Sequence, residues 1–361
     1  MTMQQLLWQG VQELNKAQVP DPELDARYLL LEVFHLNLAS FLAMKGRELE
    51  KDEETEGKCR EFRRLIEIRA GRTPLQHLTG TQEFMGFEFL VNEHVLIPRQ
   101  DTETLVELVL QEQKGKDAAL LDVCTGSGCI AISLALMGGF RDVTALDVSR
   151  EALMVAARNA QRLLKEHEGD FNLIESDMFE RLEPDRRYDI IVSNPPYIPS
   201  HDIEGLEPEV RDYEPRMALD GRADGLAFYR ILAQGCRKHL APGGCVYMEI
   251  GFDQGLPVRQ MFEAHGYVQV EVMKDMAGLD RVVRAGWKET VMFDRLDDML
   301  IHYEELMLML GDPAVTQDTK RFTRLMKEQA DLAPIVEAYK QYKQAKQDVE
   351  DSLALLEEEN D

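Results

Sequence analysis

The sequence predicts an α/β fold with a mostly parallel, doubly wound sheet, preceded by a small helical region and a β-hairpin and followed by a helical tail. The first observation is that short apolar segments alternate with amphipathic ones between residues 101 and 287. Such alternation is typical of a parallel sheet whose strands are connected by helices. The second is that apolar residues recur at helical spacing before this region, and the third is that residues 288–361 lack any strand pattern.

Residues 1–72 are predicted to be helical. Leu6, Val11 and Leu14 recur at the spacing of one helix face, and Pro20 separates this helix from the next. A hairpin linker is predicted for residues 73–100, where the period shifts towards two. Its aromatic positions and turn glycines are Phe84, Phe87, Phe89, Gly80 and Gly86.

The central region, residues 101–287, supplies the predicted sheet. The predicted strands are ALLDV (119–123), VTALD (143–147), FNLIE (171–175), DIIVS (189–193), CVYMEI (245–250) and VQVEVM (268–273). The predicted helices between them are 130–136, 151–165, 225–239 and 255–264. Ligands of such sheets bind beyond the carboxyl ends of the strands, so a site is expected there.

The tail, residues 288–361, has 9 Lys and Arg against 18 Asp and Glu. Long heptad-like helices are expected, because residues at helical spacing, most of them apolar or aromatic, mark one face. These positions are Leu332, Val336, Tyr339, Tyr342 and Lys343. A solvated helical appendage is the simplest interpretation.

Composition narrows the function classes. Of 361 residues, 44 % are hydrophobic and 30 % charged, and the net charge is −25. Duplex-binding proteins usually carry clusters of Lys and Arg, which this sequence lacks, so direct nucleic-acid binding is disfavoured. No apolar run approaches membrane-spanning length and no secretory signal begins the chain, so we expect a cytoplasmic protein without a membrane segment. The five cysteines form no C-x-x-C and the eight histidines show no ligand spacing, so no metal site is expected.

The segment DVCTGSGCIAISLA, residues 122–135, has the pattern of a nucleotide-binding turn. A strand leads into Gly126 and Gly128, and a helix follows, which lets backbone N–H groups approach a ligand closely. The next strand ends in Asp147, which is suited to accept both ribose hydroxyls of an adenosine cofactor. The G-x-G-x-x-G spacing of dinucleotide folds is absent, so adenosine without a pyrophosphate fits better. A purely structural turn is the alternative.

The segment NPPY, residues 194–197, directly follows the apolar strand DIIVS. An amide nitrogen is a poor nucleophile, so a site that methylates it has to hold both N–H groups and direct the lone pair at the methyl donor. The Asn194 side-chain oxygen and the Pro195 carbonyl are possible acceptors, Pro195 and Pro196 make the loop rigid, and Tyr197 offers a flat face. A Pro-Pro loop that only terminates a strand is the alternative.

These motifs, together with HLTGTQEFMGFEFLVNEHVLIPRQDTETLVE, resemble the release-factor glutamine methyltransferases, the PrmC/HemK family, over about residues 1–286. The resemblance implies a class I Rossmann-like methyltransferase that transfers a methyl group from S-adenosyl-L-methionine to the glutamine amide nitrogen of the Gly-Gly-Gln motif of peptide chain release factors. It implies four parts: a helical substrate-recognition domain (1–72), a hairpin linker (73–100), the methyltransferase domain (101–287) and the tail (288–361). It also implies that Asn194, Pro195, Pro196 and Tyr197 hold the amide. The implied cofactor residues are Cys124, Thr125, Gly126, Ser127, Gly128, Asp147, Met178 and Asn194.

One residue departs from the family pattern. The first glycine of the family's D-x-G-x-G motif is Cys124 in this chain. A cysteine with positive φ would be strained by about 1–2 kcal/mol. We therefore expect a negative φ at Cys124, with cofactor binding retained.

Three weaker candidates surround these motifs. The segment IPRQDTE contains Arg99, Asp101 and Thr102 near the expected site, although a helix N-cap at Asp101 or Thr102 explains it as well. Glu249 ends a predicted strand and either faces the pocket or is structural. Asp177 is a possible partner of an adenine amino group.

The tail has a resemblance of its own. MFDRLDDMLIHYEEL, GDPAV, KEQADLAPIVEAYKQYK and EDSLALLEEEND are similar to the first helical domain of a class I peptide chain release factor, starting at Met292. The chain contains no Gly-Gly-Gln, so the tail is not its own substrate. A fusion of two neighbouring genes is one explanation, and the tail would then either help substrate docking or have no role.

Two other functions compete with amide methylation. An N6-adenine or N2-guanine nucleic-acid methyltransferase would also use Asn-Pro-Pro-Tyr, but would normally bring a basic groove. A protein without cofactor binding that only engages release factors through its tail is the non-enzymatic alternative. A monomer is expected, with the tail as the obvious route to association.

Overall fold

The computed structural model describes residues 1–115, 117–288, 296, 299–300, 302–303, 306–307, 309–310 and 319–358. The chain forms two compact units, residues 1–288 and residues 289–361. None of the helices in the described ranges combines the length and the apolar composition needed to cross a membrane.

The N-terminal region consists of helices packed around one apolar core. The helices are α1 (Met3–Lys16), α2 (Pro22–Phe34), α3 (Leu38–Met44), α4 (Glu53–Ala70) and α5 (Leu75–Thr79). Helix α1 begins with a capping box, in which Gln5 N donates to Thr2 Oγ1 at 3.2 Å and Thr2 N donates to Gln5 Oε1 at 2.8 Å. Helix α2 begins at Pro22, where a missing N–H costs nothing. The fully buried side chains at the centre are Leu6, Leu14, Leu29, Leu30 and Phe62.

A two-stranded antiparallel hairpin follows, as expected for residues 73–100. Strands β1 (Thr81–Phe84) and β2 (Phe87–Leu90) pair directly across the turn. Gly86 in that turn has a φ of 76°, which explains the glycine.

The main sheet has seven strands in the order β5-β4-β3-β6-β7-β9-β8. Their bounds are β3 (Ala119–Val123), β4 (Asp142–Asp147), β5 (Asp170–Glu175), β6 (Tyr188–Ser193), β7 (Leu240–Glu249), β8 (Val268–Lys274) and β9 (Asp280–Gly286). The first five strands in this order are parallel to one another, and β9 is antiparallel to both β7 and β8. The mostly parallel α/β fold is thereby confirmed, and β9 is a strand that the sequence pattern did not predict.

Helices cover both faces of this sheet. The helices of this region are α6 (Gln100–Gln113), α7 (Cys129–Gly138), α8 (Arg150–Leu163), α9 (Pro208–Arg211), α10 (Arg216–Leu219), α11 (Ala227–His239) and α12 (Gly255–Ala264), of which α9 and α10 lie in the segment after β6. Apolar residues of α6 and α7 pack with the hairpin on one face, and those of α11 and α12 pack on the other. Because the connections diverge on either side of the pair β3 and β6, a crevice opens at the carboxyl ends of these strands.

The second unit contains one long helix, Thr319–Glu358. Of the positions predicted on one face, Val336 and Tyr339 are buried, whereas Tyr342 is 45 % exposed. The rings of Tyr339 and Tyr342 stack at 6.4 Å. Met292, the GDPAV segment and residues 359–361 lie outside the described residues.

Candidate active site

A cavity of about 550 Å³ lies at the carboxyl ends of β3, β4 and β6. This is where the doubly wound sheet was expected to bind a ligand. Among the predicted site residues, its lining includes Cys124, Thr125, Gly126, Ser127, Asp147, Met178, Asn194 and Pro196. Gly128, Pro195 and Tyr197 belong to the same two loops.

The turn after β3 brings three residues into the left-handed region. Gly126 and Gly128 have φ values of 56° and 81°, and Cys124 has a φ of 65°. The expectation of a negative φ at Cys124 is therefore wrong. The chain reverses sharply between β3 and α7, and Thr125 N donates to Leu146 O of β4 at 2.8 Å. This bond fixes the backbone whatever residue precedes it, so the cysteine bears a strain of about 1–2 kcal/mol.

The two glycines of this turn serve different purposes. A Cβ on Gly128 would lie 3.0 Å from Ile132 Cδ1 and 3.2 Å from the Ala156 Cβ, so helix packing demands glycine there. A Cβ on Gly126 would meet no atom within 4 Å. The open space beside Gly126 leaves room for a ligand against the backbone.

Asp147 joins the end of β4 to this turn. Its Oδ2 accepts a hydrogen bond from Gly126 N at 2.8 Å, and its Oδ1 accepts one from Ser149 N at 2.9 Å. Burial raises the pKa of Asp147, and these two N–H groups oppose that rise. Each carboxylate oxygen keeps a further lone pair, so Asp147 can accept hydroxyl groups from a ligand in the cavity.

Asp122 is a buried acid that the motif analysis did not single out. It is fully buried, and Thr125 Oγ1 donates to its Oδ2 at 2.6 Å. Its Oδ1 has no hydrogen-bond partner within the described part of the chain. Burial raises the pKa of Asp122 to about 7, against the stabilising effect of the Thr125 hydroxyl. The only sequence indication was a charged residue inside an otherwise apolar strand.

Two sulfur atoms meet on the wall of the cavity. Cys124 Sγ lies 3.9 Å from the Sδ of Met178, which is 7 % exposed and also has a positive φ of 48°. Desolvation and the neighbouring carboxylates raise the pKa of the Cys124 thiol, which favours its protonated form. The pair therefore forms a soft, apolar surface suited to a flat ring.

The NPPY loop leaves β6 at the opposite side of the cavity. The Asn194 side chain donates from Nδ2 to Thr102 Oγ1 at 3.3 Å. Pro195 and Pro196 are buried. The backbone beyond them is held by neighbouring segments: Gln254 Nε2 donates to Tyr197 O at 2.9 Å, and Ile198 N donates to Leu219 O at 3.0 Å.

The hydroxyl of Tyr197 points away from the cavity towards β7. It donates to Glu249 Oε1 at 3.2 Å. Glu249 is 1 % exposed, and burial raises its pKa. Glu249 thus lies behind the NPPY loop.

The IPRQDTE segment starts helix α6 beside the cavity. The N-cap of α6 is Arg99, so a cap at Asp101 or Thr102 is wrong. Arg99 lines the cavity and donates to Glu214 Oε1 at 2.6 Å. Asp101 pairs instead with Arg281 at 3.1 Å, and Asp177 lines the cavity as an exposed residue.

Comparison with family models divides the chain into three matched segments. Residues 5–80 match the PrmC N-terminal domain, residues 100–206 match the methyltransferase small domain, and residues 299–361 match the PCRF domain. The last match covers the tail that resembles a release factor.

Comparison with known proteins finds release factor glutamine methyltransferases among the relatives. The chain is 47 % identical over 221 residues to a release factor glutamine methyltransferase of Geobacter sulfurreducens, over 61 % of this chain and 76 % of that protein. It is 40 % identical to a release factor glutamine methyltransferase of Moorella thermoacetica, over 80 % of this chain and 100 % of that protein. A crystal structure of a release factor-specific protein-(glutamine-N5) methyltransferase from Alicyclobacillus acidocaldarius is 33 % identical, with a TM-score of 0.35, over 55 % of this chain and 99 % of that one.

Proposed function

The chain belongs to the release factor glutamine methyltransferases, and from this premise we propose how its own residues carry out the reaction. The enzyme is an S-adenosyl-L-methionine-dependent protein-(glutamine-N5) methyltransferase, as the sequence resemblance predicted. The roles of individual residues, the parts played by the segments and the way the substrate is engaged are the proposal.

The cofactor is assigned to the half of the cavity that Cys124 to Ser127, Asp147 and Met178 line, with Gly128 ending the same turn. The residues fit an adenosine: Asp147 offers acceptors for two ribose hydroxyls, the backbone at Gly126 is open, and the sulfur pair offers an apolar surface. The cavity of about 550 Å³ lies within the range of cofactor pockets. The bound cofactor would supply an electrophilic methyl group on a sulfonium.

The glutamine amide is assigned to the NPPY loop. Because Nδ2 of Asn194 donates to Thr102, the side-chain oxygen of Asn194 is left to accept one N–H of the substrate. The Pro195 carbonyl accepts the other, and Tyr197 supports the plane of the amide. The single observation that carries the proposed geometry is the Asn194–Thr102 hydrogen bond, because it leaves the Asn194 oxygen as an acceptor. An amide NH₂ needs two acceptors, and the loop presents them.

Orientation is the main contribution that these residues make. A fixed pair of acceptors holds the amide plane and aims the nitrogen lone pair, which contributes on the order of 7–11 kcal/mol to a bimolecular transfer. The substrate nitrogen would form the new N–C bond with that lone pair while the S–CH₃ bond of the donor breaks and leaves its electron pair on sulfur, and the nitrogen would release one proton to solvent afterwards. No side chain has to act as a base before the transfer.

The substrate is a separate release factor. We assign substrate recognition to residues 1–72, the linker to 73–100, catalysis to 101–287 and the release-factor-like tail to 288–361. With a net charge of −25, the enzyme engages the protein substrate without direct nucleic-acid contacts. It acts as a monomer in the cytoplasm, where release factors operate.

The test is mass spectrometry of a purified release factor incubated with the enzyme and S-adenosyl-L-methionine. A gain of one CH₂ on the Gly-Gly-Gln glutamine is expected with the wild type. The gain is lost with Asn194→Ala and kept with Asn172→Ala, a matched control because Asn172 is exposed on β5. Unmodified release factor, together with cofactor binding shown by calorimetry, would contradict the proposal and direct the search to RNA and DNA substrates.

A further inference from the structure

Two arginines at the end of α4 join the helical domain, residues 1–72, to the methyltransferase domain. Arg69 is 5 % exposed, and its Nε donates to Asp25 Oδ2 of α2 at 2.6 Å. Its Nη2 donates to Glu209 Oε1 of α9 at 2.9 Å. A buried guanidinium requires such partners, because an unpaired buried charge is costly. The same side chain therefore binds an acid of its own domain and an acid of the next one.

Arg72, just beyond α4, adds to this connection. Its Nε and Nη2 donate to Oε1 and Oε2 of Glu209 at 2.7 Å and 2.6 Å, so the guanidinium binds both oxygens of one carboxylate, which fixes geometry as well as charge. Nη2 also donates to Glu207 Oε2 at 2.9 Å. Ion pairs in open solvent contribute little, but only 19 % of the Arg72 side chain and 14 % of the Glu209 side chain are exposed. Arg69, Arg72, Glu207 and Glu209 together form what we call the domain junction.

The two acids of the domain junction belong to a segment that forms one wall of the candidate active site. This wall segment, residues 198–222, directly follows NPPY and returns onto it. Ile198 N donates to Leu219 O at 3.0 Å, and Gly221 N donates to Ile198 O at 2.8 Å. Its cavity-lining residues include Pro215, Met217 and Ala218. The wall segment therefore contacts the helical domain through α9 and stays bonded to the end of the NPPY loop.

Further bonds continue from the helical domain towards the cavity. Tyr213 Oη donates to Gly71 O at 2.7 Å, which links the wall segment to the residue between the two arginines and the linker. The next residue, Glu214, is 5 % exposed and accepts from Nη2 of Arg99, which lines the cavity. Bonds therefore connect the end of α4 to the active-site wall at several points, and a rotation of the helical domain would have to break them together.

We propose that Arg69 and Arg72 are positioning residues that hold the helical domain in one orientation relative to the NPPY loop. A release factor bound to the helical domain then has its glutamine presented to the loop without a further rearrangement of the enzyme. Such preorganisation improves affinity, because the substrate does not have to order two separate binding surfaces. The inference rests on the proposed recognition role of residues 1–72.

The main test is steady-state kinetics of Arg72→Ala with intact release factor. We expect KM for the release factor to rise about tenfold, because binding then has to order the helical domain. The kcat at saturating release factor and the dissociation constant of S-adenosyl-L-methionine should stay unchanged, since the active site keeps its residues. Glu209→Gln keeps the side-chain shape and should raise KM similarly, and the double variant should be little worse than either one. Arg72→Lys keeps the charge without the bidentate geometry and should give an intermediate KM.

Arg64→Ala is the matched control. It removes the same charge from α4, but the partner of Arg64 is Glu61 of the same helix, so KM and kcat should both stay at wild-type values. A wild-type KM in Arg72→Ala would overturn the proposal. So would a fall in kcat as large as the rise in KM, because the damage would then lie in the active site itself. An equal rise in KM in Arg64→Ala would also overturn it, since the loss of charge alone would explain the effect.

Hydrogen–deuterium exchange followed by mass spectrometry tests the domain junction without activity. Amides of residues 71–80 and 203–214 should exchange about tenfold faster in Arg72→Ala and in Glu209→Gln than in the wild type, whereas amides of β3 should be unchanged. Unchanged exchange at the domain junction in both variants would refute the positioning role even if the wild type methylated nothing. A wild type that fails to methylate release factor, with the faster exchange present in the variants, would refute the proposed function and leave the orienting contact supported.

Discussion

The two sides of the cavity are built differently. The hydrogen bonds of the proposed cofactor side join residues 3 and 21 positions apart, Thr125 to Asp122 and Gly126 to Asp147, and only its sulfur contact, Cys124 to Met178, spans more, at 54 positions. The proposed amide side depends on distant partners. Asn194 reaches Thr102 across 92 positions, and Tyr197 reaches Glu249 across 52.

The cofactor side therefore depends mainly on backbone conformation, and the amide side depends mainly on the polarity of side chains. On the cofactor side, a turn with several positive φ values exposes the backbone, and a single carboxylate completes the site. On the amide side, Thr102 of α6 accepts a hydrogen bond from the Asn194 amide, and Glu249 of β7 accepts one from the Tyr197 hydroxyl. Substitutions on the cofactor side should therefore change cofactor affinity and the free energy of unfolding, whereas substitutions on the amide side should change kcat.

The largest effect expected on the cofactor side is that of Asp147→Ala. The substitution removes the ribose acceptors and the anchor of the Gly126 and Ser149 N–H groups. We expect the affinity for S-adenosyl-L-methionine, measured by calorimetry, to fall about 100-fold. Asp185→Ala, at an exposed acid, is the matched control. An unchanged affinity in a folded Asp147→Ala variant would show that Asp147 does not bind the cofactor, and would contradict the proposed difference between the two sides of the cavity.

Next in size is the contrast between the two glycines of the turn. Gly128→Ala adds a Cβ at a φ of 81° against Ile132 and Ala156, so the free energy of unfolding should fall by about 2 kcal/mol. Gly126→Ala meets open space at a φ of 56° and should cost about 1 kcal/mol. Urea denaturation of both variants measures the two values. Equal losses of unfolding free energy would mean that backbone strain alone, and not the packing against Ile132 and Ala156, determines the cost of a side chain in this turn.

Much of the architecture could be predicted because its evidence is local. The predicted strands before residue 194 match β3 to β6 within one residue at each end, since apolar runs between turns define them. Strand β9 was missed because Arg281 and Arg284 interrupt its apolar pattern. Their charges are paired with Asp101, Asp275 and Glu112, which only the folded chain brings near.

The candidate site likewise has some features that the sequence predicts and others that only the folded chain reveals. The glycine turn, Asp147 and NPPY are contiguous patterns, so the sequence predicts them. The hydroxyl of Thr102 behind Asn194 and the carboxyl of Glu249 behind Tyr197 follow from tertiary packing, and a single sequence suggests no reason to join them. The φ of Cys124 was predicted wrongly because intrinsic preference was weighed without the bond from Thr125 to β4.

A comparable effect is expected from the buried acid below the cofactor turn. Asp122 has a pKa of about 7, against an ordinary value of 3.8. Between these values the folded protein keeps a proton that the unfolded chain has lost, so this contribution to stability declines as pH rises towards 7. From pH 5.5 to pH 8, the wild type should lose about 2 kcal/mol of unfolding free energy relative to Asp122→Asn.

Denaturant titrations at both pH values measure this difference. Asp185→Asn, at an exposed position, controls for the change in net charge and should follow the wild type. If the wild type and Asp122→Asn changed in parallel, Asp122 would already be ionised at pH 5.5. The turn at Gly126 would then have two ionised carboxylates beside it, those of Asp122 and Asp147.

The smallest effect concerns the residue that departs from the family motif. Cys124 has a φ of 65° with its sulfur against Met178. Cys124→Gly removes the left-handed strain but loses that contact and adds freedom to the unfolded chain, so a net gain of about 1 kcal/mol in unfolding free energy is expected. Cys124→Ala keeps the strain and loses the thiol, so it should be no more stable than the wild type. Urea denaturation distinguishes the two: a Gly variant no more stable than the Ala variant would show that the sulfur contact, and not the backbone, governs this side of the cavity.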